Sequence, residues 1–419
     1  MSSTAERVWI TRQPLFDKDR KVVAYELLFR PHQAGPDGAI PVPSSVWVDP
    51  HNAKLVGDAV EAAGLGKLTR GRPTFVKVTR DTLLAGLPAA LPPDQVVIEL
   101  PPDIDPSAEV RDACADLRRQ GFHVALEQFE PGKTDAALLR YADYLKCNAD
   151  FVERVVNRPV SEIRPSQPPV VIADGVATAG AFARAAAAGC GVFQGDFIAR
   201  PMFHAKKAIP GNRLVYLRLL SALQNPDLSV HDLEELIQPD ASLVYRVLRA
   251  VNSAAYGQSR RIESLRQALV LLGCGTIRSW ASLWAMVAAS GDAPDELVTM
   301  STVRGKTCEM LANVTWSGAF HDGFLLGTCS LFDAILEVPM AEILAHLPLP
   351  EETEAALRGD QNHSRLLLDA VIAHEHGDWA RSAEYSTAAG IDAAAVPRAY
   401  QHALDWQHQF NVSGTTKAA

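Results

Sequence analysis

The first 200 residues alternate short β-rich runs with helical segments, and this rhythm restricts the fold more than any other feature of the chain. Helical stretches such as 106–120 and 180–188 lie between several of the runs. The runs are Val8–Pro14, Val22–Phe29, Thr74–Val78, Val96–Leu100, His123–Leu126, Tyr144–Lys146, Pro169–Ile172 and Val192–Phe193. Eight strands joined by helical crossovers predict an α/β fold, the TIM-like (β/α)8 barrel. In such barrels the functional side chains follow the C-terminal ends of the strands.

After Pro201 a continuous helical periodicity replaces this alternation. Leu243, Val247 and Val251 share one helical face, and Gly273 follows another apolar run as a C-cap. The predicted helices are Leu217–Leu223, Leu233–Ile237, Leu243–Val251, Ile262–Leu272, Ile277–Ala289, Leu311–Trp316, Phe324–Leu336, Leu366–His376 and Ala393–Trp406. The predicted organisation is a barrel domain over 7–203, an all-α domain over 205–405 and a C-terminal tail over 406–419. The linker is expected within 200–213, which contains two prolines and a glycine.

Charge and composition exclude several classes of protein. The net charge is −9 and the pI about 5.8, which argues against an extended surface for nucleic acid. No window of about 18 uncharged apolar residues occurs, so no membrane span is expected. Residues 1–7 lack an apolar signal core, so a cytoplasmic location is expected. Six cysteines are scattered without a CxxC pair, which predicts buried thiols rather than disulfides or a zinc site.

A series of motifs in the first half resembles the EAL domain, the (β/α)8 barrel that hydrolyses cyclic di-GMP. The motifs are Gln13-Pro14, Tyr25–Arg30, Val97–Leu100, Ala125–Phe129, Tyr144–Lys146, Ala173–Val176 and Gln194–Asp196 leading to Arg200-Pro201. Each motif alone is weak, but seven in the order of the family are specific. The resemblance spans residues 8 to 203. It implies a site at one end of the barrel in which oxygen ligands hold two divalent cations that generate a hydroxide.

Most of the metal ligands that the resemblance implies are replaced in this chain. The glutamate of the first motif is kept as Glu26, but the asparagine of the second falls on Lys77, whose charge opposes a metal ion. The glutamate of the third motif falls on Pro102, which has no side-chain oxygen. The aspartate pair of the family falls on Glu127 and Gln128, a longer carboxylate and a neutral amide. The sequence therefore predicts no metal site, no catalytic residues and no phosphodiesterase.

Nucleotide binding without cleavage is a separate hypothesis. The resemblance implies a lysine that positions water at Lys146, and it places Asp174 and Ala177 at two glutamates of the family. Candidate cyclic di-GMP-binding residues are Gln13, Glu26, Arg30, Lys146 and Gln194. Arginine suits a phosphate through its charge and its planar donor group. Alternatively, Glu26 and Lys146 form an ion pair in the barrel mouth, and Lys77 either pairs with Glu26 or lies near a phosphate; the sequence leaves these alternatives open.

The second half resembles the HDOD domain, a helical relative of the HD phosphohydrolases that usually lacks their metal ligands. The resemblance rests on Asp240–Leu243, Val251–Tyr256, Ile262–Ala268 and Leu271–Gly273. Ser330 and Leu331 stand where the metal-binding His-Asp doublet of the enzymes would be. His321-Asp322 precedes that position by more than two helical turns, so we interpret this doublet as a helix start. The helical half is therefore expected to lack a catalytic site.

Two further groups in the helical half invite a functional interpretation. His374 and His376 are two residues apart on a helix and do not share a face, so they are expected to be solvated or capping residues rather than metal ligands. Trp280, Trp284 and Tyr256 are candidate anchors for a partner protein, because aromatic side chains often dominate interface energies. Burial in the core is the alternative for all three and the favoured one for Trp284.

Together these features predict a non-catalytic signal-transduction protein of cyclic di-GMP-linked regulation that acts through protein–protein contacts. One alternative is a cyclic di-GMP receptor that binds without hydrolysis. Another is a weak phosphodiesterase that uses Glu26, Glu127 and Asp174. The expected partners are an unidentified regulatory or signalling protein and cyclic di-GMP itself, with no cofactor, nucleic acid or membrane. Family resemblance also implies self-association as a homodimer.

Overall fold

The computed structural model describes residues 8–31, 64–130, 136–156, 168–200, 211–223, 225, 228–252, 262–291, 293–315, 323–347 and 349–414. The chain forms two compact units. The first contains Met1–Arg200 together with His374–Ala380, and the second contains Pro201–Ala373 and Arg381–Ala419. The predicted linker falls largely on residues 201–210, which lie outside the described part of the chain.

The first unit contains a closed barrel of eight strands in sequence order, as predicted. The strands are β1 Val8–Phe16, β2 Val22–Pro31, β3 Thr74–Lys77, β4 Val96–Leu100, β5 His123–Leu126, β6 Tyr144–Asn148, β7 Val170–Asp174 and β8 Val192–Gln194. From β2 to β8 neighbouring strands are parallel, whereas β1 is antiparallel to both β2 and β8. The tight turn at 17–21 reverses the chain between β1 and β2, and Asp17 closes it by accepting hydrogen bonds from the backbone of Asp19 and Lys21.

Helices connect the parallel strands, and capping side chains fix where several of them begin. The helices are α1 Leu65–Thr69, α2 Arg80–Leu84, α3 Ala108–Arg119, α4 Ala136–Leu139, α5 Val152–Val156 and α6 Ala179–Ala187. Thr79, Ser107 and Thr178 each accept a hydrogen bond from a backbone N–H in the first turn of the helix that follows. These bonds satisfy donors that a helix leaves open at its N-terminus, so each strand end leads into a helix at a defined residue.

The interior of the barrel is filled by an apolar layer. Its buried members are Leu15, Ala24, Phe75, Val97, Ala125 and Ile172, with Val23, Tyr144 and Val192 packed against them. Side chains of a strand alternate between its two faces, so the residue two positions further along a strand also points inward. On β2 to β8 that residue lies nearer the C-terminal end of the barrel. The apolar layer therefore fixes which side chains line the mouth.

The second unit is helical, as predicted. Its helices are α7 Gly211–Ala222, α8 Val230–Ile237, α9 Ala241–Val251, α10 Leu265–Leu272, α11 Cys274–Ser290, α12 Asp295–Thr315, α13 Gly323–Cys329, α14 Phe332–Leu336, α15 Met340–Leu344, α16 Glu351–Arg358, α17 His363–Glu375, α18 Trp379–Ala388 and α19 Ala395–Gly414. A core of leucine, isoleucine and valine joins α8 to α11 and includes Trp284. Gly273, with φ of 79°, ends α10 and begins α11, so the predicted C-cap is confirmed.

Some helix boundaries differ from the prediction. The single helix expected over 324–336 is divided into α13 and α14 at residues 330–331, and α19 continues to Gly414, so the predicted tail 406–419 is helical over most of its length. Where α12 crosses α13 the backbones approach closely, and a Cβ on Gly327 would lie 2.5 Å from the backbone oxygen of Arg304. None of the described helices is long and apolar enough to cross a membrane. All six cysteines are free thiols, and five of them are buried.

Candidate functional site

A ring of polar side chains lies at the C-terminal mouth of the barrel, directly above the apolar layer. Each member follows an apolar-layer residue by two positions in the sequence. On the antiparallel β1 the ring residue instead precedes the apolar-layer residue by two positions. The pairs are Leu15 and Gln13, Ala24 and Glu26, Phe75 and Lys77, Val97 and Glu99, Ala125 and Glu127, Tyr144 and Lys146, Ile172 and Asp174, and Val192 and Gln194. The barrel thus brings together Gln13, Glu26, Lys146 and Gln194, four of the five predicted site residues.

Lys146 lies at the centre of this ring. Its Nζ donates a hydrogen bond to Oε2 of Glu26 at 2.6 Å and lies 3.2 Å from Oε1 of Glu99. The same Oε2 of Glu26 accepts a hydrogen bond from Nε2 of Gln194 at 2.6 Å. All four side chains are buried, with Glu99 fully enclosed. The ion pair that the sequence left as an alternative for Glu26 and Lys146 is therefore the arrangement in the fold.

A second lysine neutralises a second carboxylate. Nζ of Lys77 donates to Oε1 of Glu127 at 2.5 Å, and the two side chains are 16% and 10% exposed. On the neighbouring strands Lys77 of β3 stands in register with Glu99 of β4. The sequence left open whether Lys77 pairs with Glu26, and the fold gives its hydrogen bond to Glu127 instead.

Burial and pairing shift the pKa values of the three central groups in different directions. Burial alone would raise the pKa of Glu26, but the charge and hydrogen bond of Lys146 outweigh it and hold the pKa below its usual value. Burial raises the pKa of Glu99 to about 8 against the opposing effect of Lys146. Burial opposes the charge of Lys146, yet Glu26 and Glu99 raise its pKa well above the usual value. Glu99 therefore holds its proton at neutral pH, while Glu26 and Lys146 are ionised.

Glu99 is a site residue that the sequence analysis missed. The third motif was placed on Pro102, which is exposed in the turn after β4, whereas Glu99 on the strand itself points into the mouth. Within the described residues neither carboxylate oxygen of Glu99 has a hydrogen-bond partner. The signal that would have found it is the period of two along β4, because Val97 fills the apolar layer and Glu99 follows two residues later.

The remaining predicted binding residues have different surroundings. Gln13 accepts a hydrogen bond from Nε2 of Gln194 at 3.2 Å and donates to the backbone oxygen of His376 at 3.0 Å. His376 belongs to the segment His374–Ala380 of the same compact unit, and its Nε2 lies 3.0 Å from Oδ1 of Asp196. The side chain of Arg30 lies outside the described part of the structure.

The histidine pair corrects the sequence-based expectation of solvated or capping residues. His374 is buried, its ring packs edge-on against Trp379, and its backbone oxygen accepts a hydrogen bond from Thr11. Only the half-exposed His376 contacts solvent, and it is paired with a carboxylate. The two side chains thus have different surroundings, one buried against Trp379 and the other exposed beside Asp196.

The mouth does not fit the two divalent cations that EAL enzymes hold. Glu127 and Glu26 are paired with Lys77 and Lys146, and Gln128 is an exposed residue with a left-handed backbone, φ 45°. Among the described residues no three histidine, cysteine or acidic side chains are grouped so as to hold a metal ion. Asp174, at the end of β7, accepts a hydrogen bond from Gly175 and adds to the negative potential at Lys146.

In the helical unit the position where the resemblance implies a His-Asp doublet holds a hydrogen bond between a serine and an arginine. The hydroxyl of Ser330 accepts a hydrogen bond from Nη1 of Arg304 at 2.9 Å and donates to the backbone oxygen of Gly327. His321 and Asp322 lie outside the described residues, as do Tyr256 and the side chain of Trp280. Trp284 is 5% exposed and belongs to the core, so it is not an interface anchor.

The helical unit does expose an apolar face on α10. Val270 is 73% exposed and Leu271 46%, although both are large apolar residues. With Ile262, Arg266 and Gln267 they line a shallow cleft of about 470 Å³. Exposed apolar side chains that lie together mark contact surfaces more often than isolated ones do.

Two family models match the chain in succession. The EAL domain model matches residues 72–201, and the HDOD domain model matches residues 209–352. The uncharacterized protein YuxH of Bacillus subtilis is 30% identical over 410 residues, which cover 96% of this chain and 98% of that protein. The chain belongs to the EAL–HDOD proteins. These two domains in this order indicate cyclic di-GMP signalling.

A second relative carries a functional name. The cyclic di-GMP phosphodiesterase CdgJ of Vibrio cholerae is 27% identical over 412 residues, which cover 97% of this chain and 94% of that protein. Solved EAL structures align with about half of the chain. BlrP1 of Klebsiella pneumoniae, in a calcium and cyclic di-GMP complex, is 21% identical over 48% of this chain and 58% of its own, with a TM-score of 0.37. The barrel assignment rests on the strand pairing described above rather than on this score.

Proposed function

We propose that this EAL–HDOD protein is a non-catalytic regulator in cyclic di-GMP signalling that acts through contacts with other proteins. One observation carries the proposal. At the mouth, where an EAL enzyme needs ligands that are open to metal ions, the carboxylates of Glu26 and Glu127 are held by Lys146 and Lys77 at 2.6 and 2.5 Å. Hydrolysis through two metal ions requires these oxygens to be available to the metals. With Glu26 paired to Lys146 and Glu127 paired to Lys77, neither of these carboxylates is open to a metal ion.

A turnover assay with the full-length chain tests the absence of hydrolysis. Cyclic di-GMP is incubated with the protein and Mg²⁺ or Mn²⁺, and the linear product is measured by chromatography against a metal-only control. We expect no product above that control. Turnover that disappears in Glu26→Ala but persists in the exposed control Glu109→Ala would overturn the proposal and favour the enzyme, which is the activity in the name of CdgJ.

A binding titration separates the protein-contact regulator from a nucleotide receptor. Titration calorimetry of the full-length chain with cyclic di-GMP, in the absence of metal, is expected to give no saturable heat. The reason is that the side chain of Gln13 is already engaged by Gln194 and by the backbone of His376. Saturable binding that is lost in Gln13→Ala would assign the receptor function to the barrel instead.

A further inference from the structure

A short segment of the first unit, His374–Ala380, which we call the strap, contacts the mouth of the barrel. Helix α17 ends at Glu375 and α18 begins at Trp379, so the strap includes the C-terminal end of a helix. The last carbonyl groups of a helix have no partner within the helix and must find one elsewhere. Here Oγ1 of Thr11 donates a hydrogen bond to the backbone oxygen of His374 at 3.3 Å. A side chain of β1 thus completes the end of this helix.

The strap also contacts the strands on both sides of β1. On β1 itself, Nε2 of Gln13 donates to the backbone oxygen of His376 at 3.0 Å. After β8, Oδ1 of Asp196 lies 3.0 Å from Nε2 of His376. On β2, a Cβ on Gly377 would lie 2.6 Å from Cδ1 of Leu28, so the strap packs directly on that side chain. Because β8, β1 and β2 are neighbours in the barrel, the strap crosses one side of its mouth.

These contacts lie one layer beyond the polar ring. Side chains on one face of a strand recur every two residues. On β1 the next inward position beyond Gln13 is therefore Thr11. On β2 the next one beyond Glu26 is Leu28, which is the register partner of Thr11. The strap thus occupies the space through which a solute would reach this side of the ring, where Glu26 is only 4% exposed although it lies at the end of the barrel.

The strap uses a group that the sequence assigns to nucleotide binding. The amide group of Gln13 donates to His376, so a nucleotide that takes the same donor must displace the strap. A ligand that binds only after a segment is released has an apparent affinity that is reduced by the fraction of molecules in which the segment is released. Strap and nucleotide therefore compete for one side of the mouth.

We propose that the strap is an autoinhibitory contact that keeps the barrel mouth closed to cyclic di-GMP. The inference deepens the proposed function and rests on it, because it explains how the mouth of a non-catalytic barrel takes up no nucleotide while the strap is docked. It goes further by assigning this closure to one segment of the chain.

His376→Ala/Gly377→Asn is the variant that opens the strap. The first change removes the contact with Asp196, and the second adds a side chain that meets Leu28. Asparagine adopts the left-handed backbone of Gly377, φ 73°, more readily than most residues do, so the second change acts through space rather than through backbone strain.

His402→Ala/Gly390→Asn is the matched control. His402 is exposed, and Gly390 has a φ of 70° with open space where a Cβ would lie. Asp196→Asn is a second opening variant, because it weakens the contact with His376 from the barrel side and leaves the strap sequence intact. It decides the question alone if the first variant does not fold.

Carbodiimide labelling of carboxylates in the full-length chain, read by mass spectrometry, measures access to the mouth. The labelling of Glu26 is compared with that of Glu109, whose side chain is 72% exposed. The ratio should rise roughly tenfold in His376→Ala/Gly377→Asn, which is the effect of about one lost hydrogen bond on an opening equilibrium. Asp196→Asn should give a smaller rise, and the matched control should give none.

Titration calorimetry with cyclic di-GMP tests the same opening with a ligand. We expect saturable binding by the opening variants and none by wild type or the matched control. If the labelling of Glu26 in the opening variants equals that in wild type, the strap does not cover the mouth and the proposal is wrong. Increased labelling without a gain in binding would also contradict it, because something other than the strap would then exclude the nucleotide. Equal binding by wild type and the opening variants would have the same consequence.

These outcomes are distinguishable from a failure of the proposed function. Turnover by wild type would refute the non-catalytic function whatever the opening variants bind. Conversely, an inactive wild type whose opening variants gain neither labelling nor binding would refute only the role of the strap.

Discussion

Removal of the Lys146 charge should destabilise the barrel strongly, and removal of the Glu26 charge together with it should restore most of the loss. Lys146 is 3% exposed and its hydrogen bond to Glu26 is 2.6 Å long, so the ammonium group is shielded from solvent. Lys146→Met keeps the length of the side chain and removes only the charge and the donor. Glu26→Gln removes the opposing charge and keeps the shape.

The size of the effect follows from the charge that Lys146→Met leaves behind. Glu26 must then stay ionised in a buried site or take up a proton. Protonation of a carboxyl of pKa 4.5 at pH 7 costs about 1.4 kcal/mol for each pH unit, or about 3.4 kcal/mol in total. Breaking one partner of a buried ion pair costs roughly 3–5 kcal/mol in other proteins, which agrees with this figure. Glu99 adds little, because with a pKa of about 8 it is mostly neutral at pH 7.

Hydrogen exchange of the full-length chain, read by mass spectrometry, measures the effect in the barrel alone. A loss of about 3 kcal/mol should speed the exchange of peptides from β2 and β6 roughly hundredfold, because local opening free energies set exchange rates. Peptides from α9, in the other unit, serve as the internal control, and Lys67→Met serves as the surface control. The double variant Lys146→Met/Glu26→Gln should exchange much more slowly than Lys146→Met. Additive losses in the double variant would refute the pairing argument, because they would show that the two charges do not depend on each other.

Three further predictions concern pH, backbone space and partner contacts. Because the pKa of Glu99 is raised to about 8, the contribution of this group to stability is complete below the usual carboxyl pKa of 4.5 and is lost as pH rises to about 8. Calorimetry should therefore find that the unfolding temperature falls between pH 6 and pH 8. This fall should be smaller in Glu99→Gln. Gly195→Ala should lower the free energy of unfolding, measured by chemical denaturation, by roughly 1–3 kcal/mol, because φ is 140° and a Cβ would lie 2.5 Å from the backbone of the loop after β7. Gly191→Ala, where the space around a Cβ is open, should lower it much less. In pull-downs from cell extract, Val270→Asp on α10 should lose any partner protein that wild type retains. Val314→Asp on α12, a similarly exposed residue outside the cleft, should keep that partner. Equal retention by both variants would show that the contact surface lies elsewhere.

The barrel was predictable because each strand is a short buried run with turn signals at both ends. All eight predicted strands are present, and their bounds differ from the prediction by at most two residues. The antiparallel direction of β1 was not predicted, although the tight turn around Asp17 leaves too few residues for the helical crossover that a parallel pair needs. In the helical unit the periodicity found α9 and α10 but missed most of α12. Several sides of that helix are buried, and its buried positions include small and polar residues such as Thr302 and Thr307. Its sequence therefore has no single apolar face.

The candidate site was predictable in several of its members, though not in Glu99, and less so in its pairings. Motif order identified Gln13, Glu26, Lys146 and Gln194, but only the three-dimensional register shows that Lys77 donates to Glu127 rather than to Glu26. The contacts of His376 with the barrel join residues more than 170 positions apart, and no local pattern carries that information.

The layering of the barrel explains how a lysine is tolerated at position 77, where the resemblance implies a metal ligand. The apolar layer beneath the mouth excludes water from one side, so the dielectric constant around the ring is low and an unpaired carboxylate would be costly. A barrel that loses its metal ions must therefore neutralise the remaining glutamates or replace them. Lys77 and Glu99 both contribute to this, since Lys77 pairs with Glu127 and burial raises the pKa of Glu99 to about 8. On this argument Lys77 and Glu127 depend on each other, as do Lys146 and Glu26, because removal of one member of either pair would leave a buried charge without its counterpart.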